Sequence, residues 1–386
     1  MTDFFEEVVD RKRTNSLKWS AGEEVLPMWI ADMDFKTAPV IMDALQQRMK
    51  QGIFGYTATP AAFYEAITGW WRKRHGFEVQ KAWIGAASGV LPALAATMRA
   101  LFTEGDKIII QPPVYNHFYE TIAASGYQLV ENNLLLSGEG YRIDFEDLAE
   151  KAADPAVKLL LLCNPHNPVG RVWTREELQR IGDICLQHQV RVLSDEIHSD
   201  LVYGENKHVP FASLGTAYSR NAVTYCSPSK TFNLAGLQVG YFFTENKVLK
   251  DAVTAVLNKQ EMLFVNVFAI EALIAAYTMG EEWLEALKAY VYSNYEYLCE
   301  FSRTHFPLYR PSLLQATYLV WLDCSASGIS SKELADKLLK QAGLWVSPGF
   351  QYGAAGEYFI RINIACPRAL LTEGLLRLAK VLEATG

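Results

Sequence analysis

The chain has 386 residues, of which half are hydrophobic, 20% charged and 12% aromatic, a composition that speaks against a disordered protein and for a well-packed globular one. Its length exceeds the ~250–300 residues at which a single core stops growing, so one large unit and a smaller second one are expected. A formal net charge of −7 argues against a nucleic-acid or anionic-membrane surface, since both need clustered positive charge.

The first residues, MTDFFEEVVDRKR, carry acids where a signal peptide would carry bases. No apolar run approaches the ~18 residues of a membrane span, and a cytoplasmic protein is the expectation. Residues 26–35, LPMWIADMDF, form an apolar run broken by Asp32 and Asp34. They read as an arm crossing into a cleft or as a surface strand. Helical spacing over 38–50 is followed by the turn GYTATP at 55–60, with Tyr56 at its tip. Arg72, Lys73, Arg74 and His75 come nearest to a basic cluster and read as the polar end of an amphipathic helix.

From about 85 to 245 short β-rich runs at 107–111, 128–135, 158–163, 190–194, 222–226 and 239–243 alternate with helical segments at 90–102, 114–124 and 174–188. The last opens with a capping box, Thr174 to Glu177. Such alternation predicts an α/β fold with a mostly parallel central sheet sandwiched by helices. Residues 246–300 read as mostly helical, and beyond 305 the pattern turns α+β: a strand at 316–322, a helix from Ser330 to Gly343, a strand at 357–365 and a final helix. The expected division is an arm that also belongs to the small unit (1–45), a large α/β unit (46–285) and a small α+β unit (286–386). The six cysteines are widely spaced without a CxxC pair, and the seven histidines show no metal-ligand spacing. Neither a disulfide framework nor a metal is expected.

Ligands of parallel sheets bind beyond the carboxyl ends of the strands, so the loops there carry the argument. Lys230 lies in CSPSKTFNLAGLQVG, flanked by small hydroxyls and apolar residues that would desolvate its amine and lower its pKa. Alone, it fits an exposed loop lysine as well. In NPHNPVG two prolines fix the backbone around Asn167, either as a tight turn or with the amide facing a ligand. Asp195 ends the apolar run VRVLSD, where a carboxylate needs a cation; a pyridinium nitrogen would serve, as would a structural ion pair. Ser88, Gly89 and Val90 precede a helix, so their N–H groups suit an anion, with Ser227 and Ser229 as further donors. Tyr115 could stack on an aromatic ring or pack in a core. Arg361, in FIRINIA, suits a carboxylate or a structural acid.

Taken together, SGV, PPVY, NPHNPVG, DEIH, SPSKTFN and FIRIN resemble the fold-type I pyridoxal 5′-phosphate enzymes of the aspartate-aminotransferase superfamily, over nearly the whole chain. WIADMDF, GYTATP, QPPVY, CNPHNPVGRVW, LSDEIHSDLVY and SPSKTFNLAGLQ are similar to the MalY/PatB subfamily of cystathionine and cysteine C–S β-lyases. The resemblance implies that Lys230 is the Schiff-base lysine and general base, that Asp195 partners the pyridine nitrogen, and that Asn167 donates to the ring hydroxyl and borders the substrate. It puts Ser88, Gly89, Val90, Ser227 and Ser229 on the phosphate, Tyr115 on the ring, and Arg361 on the substrate carboxylate. It also implies a homodimer, with Tyr56 reaching the neighbouring subunit's phosphate and substrate. Two positions depart from the aminotransferase pattern: Gln238, where a phosphate-binding arginine is usual, and His198, where a tyrosine meets the ring hydroxyl. Both occur in the lyase subfamily, so elimination from an amino-acid thioether is the implied reaction. An aminotransferase, or a regulatory protein acting through a partner, are the rival readings.

Overall fold

The computed structural model describes residues 2–138, 140–262 and 264–384. Seven strands make the principal sheet: β1 (Ile84–Ala87), β2 (Lys107–Ile110), β3 (Gln128–Glu131), β4 (Val157–Cys163), β5 (Arg191–Asp195), β6 (Ala222–Cys226) and β7 (Gly240–Phe243). They lie in the order β1-β7-β6-β5-β4-β2-β3. Strand β7 runs antiparallel to both neighbours and the other pairs are parallel. Antiparallel to β7, β1 points the same way as β2 to β6, so six strands end at the same edge of the sheet, and the loops singled out from the sequence leave from that edge.

The alternation of side chains along a strand explains why the sheet is covered on both faces. In β4, Leu159, Leu161 and Cys163 enter one core with Leu94 of helix α1 (Val90–Leu101). Leu160 and Leu162 enter another with Leu178 and Ile181 of helix α2 (Arg175–Gln187). The capping box of α2 is formed: Thr174 Oγ1 accepts from Glu177 N at 3.2 Å and Glu177 Oε2 accepts from Thr174 N at 2.8 Å.

A second, antiparallel sheet joins β8 (Arg310–Pro311), β9 (Leu319–Asp323), β10 (Ser347–Pro348) and β11 (Phe359–Asn363) in the order β8-β9-β11-β10. The amino-terminal arm adds to this part of the molecule, because Leu26–Pro27 pairs in parallel with Leu344–Trp345. The 25-residue helix Glu281–His305 runs through the expected boundary at 285/286. No described helix is long and apolar enough to cross a membrane.

Two local expectations are corrected. The strand foreseen over 128–135 stops at Glu131, and a separate hairpin pairs Leu135–Ser137 with Gly140–Arg142. The break follows from Asn132, whose buried amide accepts from Gln111 and donates to the Asp144 carbonyl and the Asp147 carboxylate. His75 does not stay at the polar helix end but turns inward to Asp200, 3.1 Å away.

One close approach ties the fold to the strand-end loops. A Cβ on Gly240 would lie 2.8 Å from the backbone of Gly89, at the turn into α1. Gly240→Ala should push that turn outward and destabilise the protein by about 1–3 kcal/mol, the usual cost of overpacking. A lower denaturation midpoint at unchanged slope would register it.

Candidate active site

The loops leaving β1, β2, β4, β5 and β6 surround one cavity of about 430 Å³. Ser88, Gly89, Val90, Tyr115, Asn167, Asp195, His198, Ser227, Ser229 and Lys230 all line it. Arg361 reaches the same place from β11, its Nη1 donating to Asn167 Oδ1 at 3.1 Å. Of the residues singled out from the sequence, Tyr56 alone stays outside: it is 97% exposed, its ring 5.5 Å from that of Phe264.

The acids of DEIHSD show which carboxylate is held in reserve. Glu196 is buried and fully engaged, accepting from Ser194 Oγ at 2.8 Å and Phe211 N at 2.9 Å and facing His208 Nε2 at 2.8 Å. Asp200 is likewise engaged, with Trp70 Nε1, Thr231 Oγ1 and His75 Nε2 around it. Asp195, equally buried, accepts only from Ile197 N at 3.1 Å and has no salt-bridge partner among the described residues. Burial pushes its carboxyl up to about 7, with Glu196 adding to the rise and Lys230 opposing it.

Lys230 sits in the helical turn Pro228–Thr231 after β6. Its Nζ donates to the carbonyl of Ala31 at 2.7 Å. Desolvation, reinforced by the positive charge of Arg361, pushes the amine down to about 8. Desolvation, reinforced by the positive charges of Lys230 and Arg361, pushes buried His198 down to about 3 and keeps it a neutral imidazole. Its Nδ1 has no hydrogen-bond partner among the described residues. Ser227 caps the lysine turn, accepting from Ser229 N and donating to the Val239 carbonyl at 2.6 Å. Gln238 lines the cavity with a left-handed backbone, φ 53°.

The arm closes one side of the site and is anchored by buried charge. Asp34 accepts from Arg11 Nη1 and Lys18 Nζ, both at 2.7 Å, and from Trp19 Nε1 at 2.9 Å. Burial opposes its charge, but Lys18 and Arg11 outweigh burial and hold the carboxyl below its usual range. Farther along, Arg361 Nη2 donates to the carbonyl of Trp29 at 2.8 Å, and Tyr318 joins Lys230 on that of Ala31. The sequence left open an arm crossing into a cleft or a surface strand, and it gave no sign of these bonds, because a main-chain acceptor leaves no mark in residue identity. It also missed Cys163, whose Sγ accepts from the Asn167 amide at 3.4 Å and lines the cavity.

Asp195 sets a pH dependence of stability. Its folded pKa lies above the ordinary 3.8, so the folded state holds a proton that the unfolded state releases between pH ~4 and ~7, and stability falls as pH rises through that window. The span from 3.8 to about 7 corresponds to roughly 4 kcal/mol. In the cofactor-free protein, Asp195→Asn should therefore melt higher than wild type at pH 8, the two curves converging toward pH 4. Thermal melts of both proteins across that range check it.

Residues 23–378 match the family described as aminotransferase class I and II. The chain is 41% identical to the cystathionine beta-lyase PatB of Bacillus subtilis, over 98% of this chain and 100% of that one. With protein MalY of Escherichia coli it shares 34% over 98% and 99%. Among solved structures, cystalysin from Treponema denticola, which contains pyridoxal 5′-phosphate, has a TM-score of 0.96 at 31% identity, covering 99% of both chains. The C–S lyase from Staphylococcus hominis bound to pyridoxal phosphate has a TM-score of 0.92 at 33% identity, covering 98% of both. With this match over nearly its whole length, the chain belongs to the class I and II aminotransferase family, among the relatives of the PatB-type cystathionine beta-lyases.

Proposed function

We propose that this protein is a pyridoxal 5′-phosphate-dependent carbon–sulfur lyase. It cleaves L-cystathionine or a related cysteine thioether by α,β-elimination, consuming water and giving homocysteine or the corresponding thiol, pyruvate and ammonia. One observation carries the reading: a lysine amine of lowered basicity and an unpaired buried carboxylate face the same cavity.

The residues present fit the cofactor. The Asp195 carboxylate calls for a cation, which a protonated pyridine ring provides. The neutral imidazole of His198 presents an unpartnered Nδ1, and the amide nitrogen of Asn167 remains available beside the Oδ1 held by Arg361. The N-terminus of the 12-residue helix α1, at Ser88 to Val90, suits a phosphate, and Ser229 adds a hydroxyl. Ser227, with its proton on Val239, supports that turn from below. Tyr115 suits the ring face.

When bound, pyridoxal phosphate delocalises the electron pair left at the Cα of an amino acid. Asp195 sustains this by keeping a positive charge at the ring nitrogen. Arg361 binds the substrate carboxylate and so orients the Cα–H bond. Lys230, part of it unprotonated near neutrality, removes the Cα proton as general base. The C–S bond at Cβ then breaks toward sulfur, and hydrolysis of the remaining three-carbon fragment yields pyruvate and ammonia.

The proposal includes a homodimer: Ile53, Phe54, Tyr56 and Phe264 form an exposed apolar surface beside the cavity loops, of the kind a second copy would cover. It assigns cofactor binding to residues 46–285, and to 286–386 with 1–45 the substrate carboxylate and the arm. It places the enzyme in the cytoplasm, in keeping with six free thiols.

Incubation of the cofactor-loaded protein with L-cystathionine should release free thiol and pyruvate in equal amounts without any added keto acid. A strict keto-acid requirement would make it an aminotransferase instead. Lys230→Ala should lower kcat by several orders of magnitude while the carboxylate site persists.

A further inference from the structure

Besides Lys230 itself, two side chains join the lysine turn to the arm: Thr37 Oγ1 donates to the carbonyl of Phe232 at 2.7 Å, and Asn233 makes three bonds. Asn233 Oδ1 accepts from Met33 N at 3.0 Å, and its Nδ2 donates to the carbonyls of Met33 at 3.0 Å and Phe35 at 2.9 Å. All three partners are main-chain groups of a segment 200 residues earlier in the chain. Asn233 takes a left-handed backbone, φ 57°, a conformation that few residues besides glycine and asparagine accept readily. The left-handed residue turns the chain back toward the arm just after the lysine.

The arm is also held from its opposite side. Asn363 Nδ2 donates to the carbonyls of Ile30 at 2.7 Å and Asp32 at 2.6 Å, while Arg361 and Ser347 donate to that of Trp29. These bonds fasten the arm to the β9–β11 part of the molecule. Tyr318 Oη also donates to the Ala31 carbonyl from that side, at 3.0 Å. The connection to the lysine turn comes from Asn233 together with Thr37, and the Ala31 carbonyl that receives the Lys230 amine lies two residues before Met33.

We propose that Asn233 is a positioning residue for the lyase reaction: by clamping Met33 and Phe35 to the lysine turn it holds the Ala31 carbonyl where it receives the Lys230 amine, and so fixes where that amine stands as general base once the substrate has freed it. This rests on the lyase reading of the site. A base displaced by a fraction of an ångström loses alignment with the Cα–H bond, whereas the carboxylate contact at Arg361 is untouched.

Asn233→Gly removes the clamp and keeps the left-handed backbone strain-free. In the cofactor-loaded enzyme kcat for L-cystathionine should fall at least about tenfold with KM nearly unchanged, the signature of an interaction used in the transition state. Asn233→Asp keeps the shape and the bond from Met33 N but turns an oxygen toward two carbonyls, so it should be no more active than the glycine variant. In cofactor-free protein, acylation of Lys230 by an amine-reactive ester, read on the 222–243 peptide by mass spectrometry, should be several-fold faster in Asn233→Gly than in wild type. Wild-type protein provides a fourth reading, since slow hydrogen exchange at the Met33 amide reports the clamp directly. An unchanged kcat with unchanged Lys230 labelling, an aspartate variant as active as wild type, or a freely exchanging Met33 amide in wild type would each overturn the assignment. A wild-type protein that forms no thiol from L-cystathionine would instead overturn the lyase reading, with the labelling and exchange results still standing.

Discussion

A carboxylate at the buried end of a strand is the constraint around which the site is built. Asp195 closes β5 between Cys163 of β4 and Tyr225 of β6, where the sheet itself shuts out water. Removing an ionised carboxylate from water costs several kcal/mol unless a cation meets it. The neighbouring Glu196 and Asp200 show how this chain normally meets that demand, with three side-chain or main-chain partners each, most of them from other elements. Asp195 departs from the pattern and has its polar face on the cavity. An acid left this way costs stability that a cation in the cavity would restore.

The cations are arranged by the same logic in reverse. Lys230 and Arg361 share the cavity region, and each lowers the proton affinity of its surroundings. Neither is neutralised by an acid. Both rest on backbone carbonyls of the arm, Ala31 and Trp29 respectively, which stabilise positive charge without cancelling it. The acids that the arm does carry, Asp32 and Asp34, are engaged by Arg11 and Lys18 on its other side. The arm thus separates a region of paired charge from one in which charge is left for a ligand.

Much of this was legible in the sequence because the site is made of side chains at strand ends. Apolar runs of strand length alternating with helical periods located six strands of the principal sheet, and the polar residues that interrupted their ends marked the cavity. Lys230, Asp195 and Arg361 stood out as charges among apolar flanks and Asn167 by its two prolines; each alone also fitted a structural role, the family resemblance joined them, and the structure brings all four together. What stayed hidden depends on long-range main-chain partners. The three bonds of Asn233 join groups 200 residues apart, and no local pattern announces them. The break at Asn132 was invisible for a similar reason: an asparagine within a β-rich run reads as a tolerated polar residue until its partners at Gln111, Asp144 and Asp147 are known.

The arm bends at Ile30 and Ala31, where Asp32 N donates to the Ile30 carbonyl at 2.9 Å, and across this bend the carbonyls of Trp29 and Ala31 meet Arg361 and Lys230. Because the arm meets Lys230 and Arg361 through its peptide groups, those contacts do not depend on which side chains the arm bears. A change of side chain at Trp29 or Ala31 would therefore leave both cations their acceptors, and the charged centre is tied to the course of the arm's backbone.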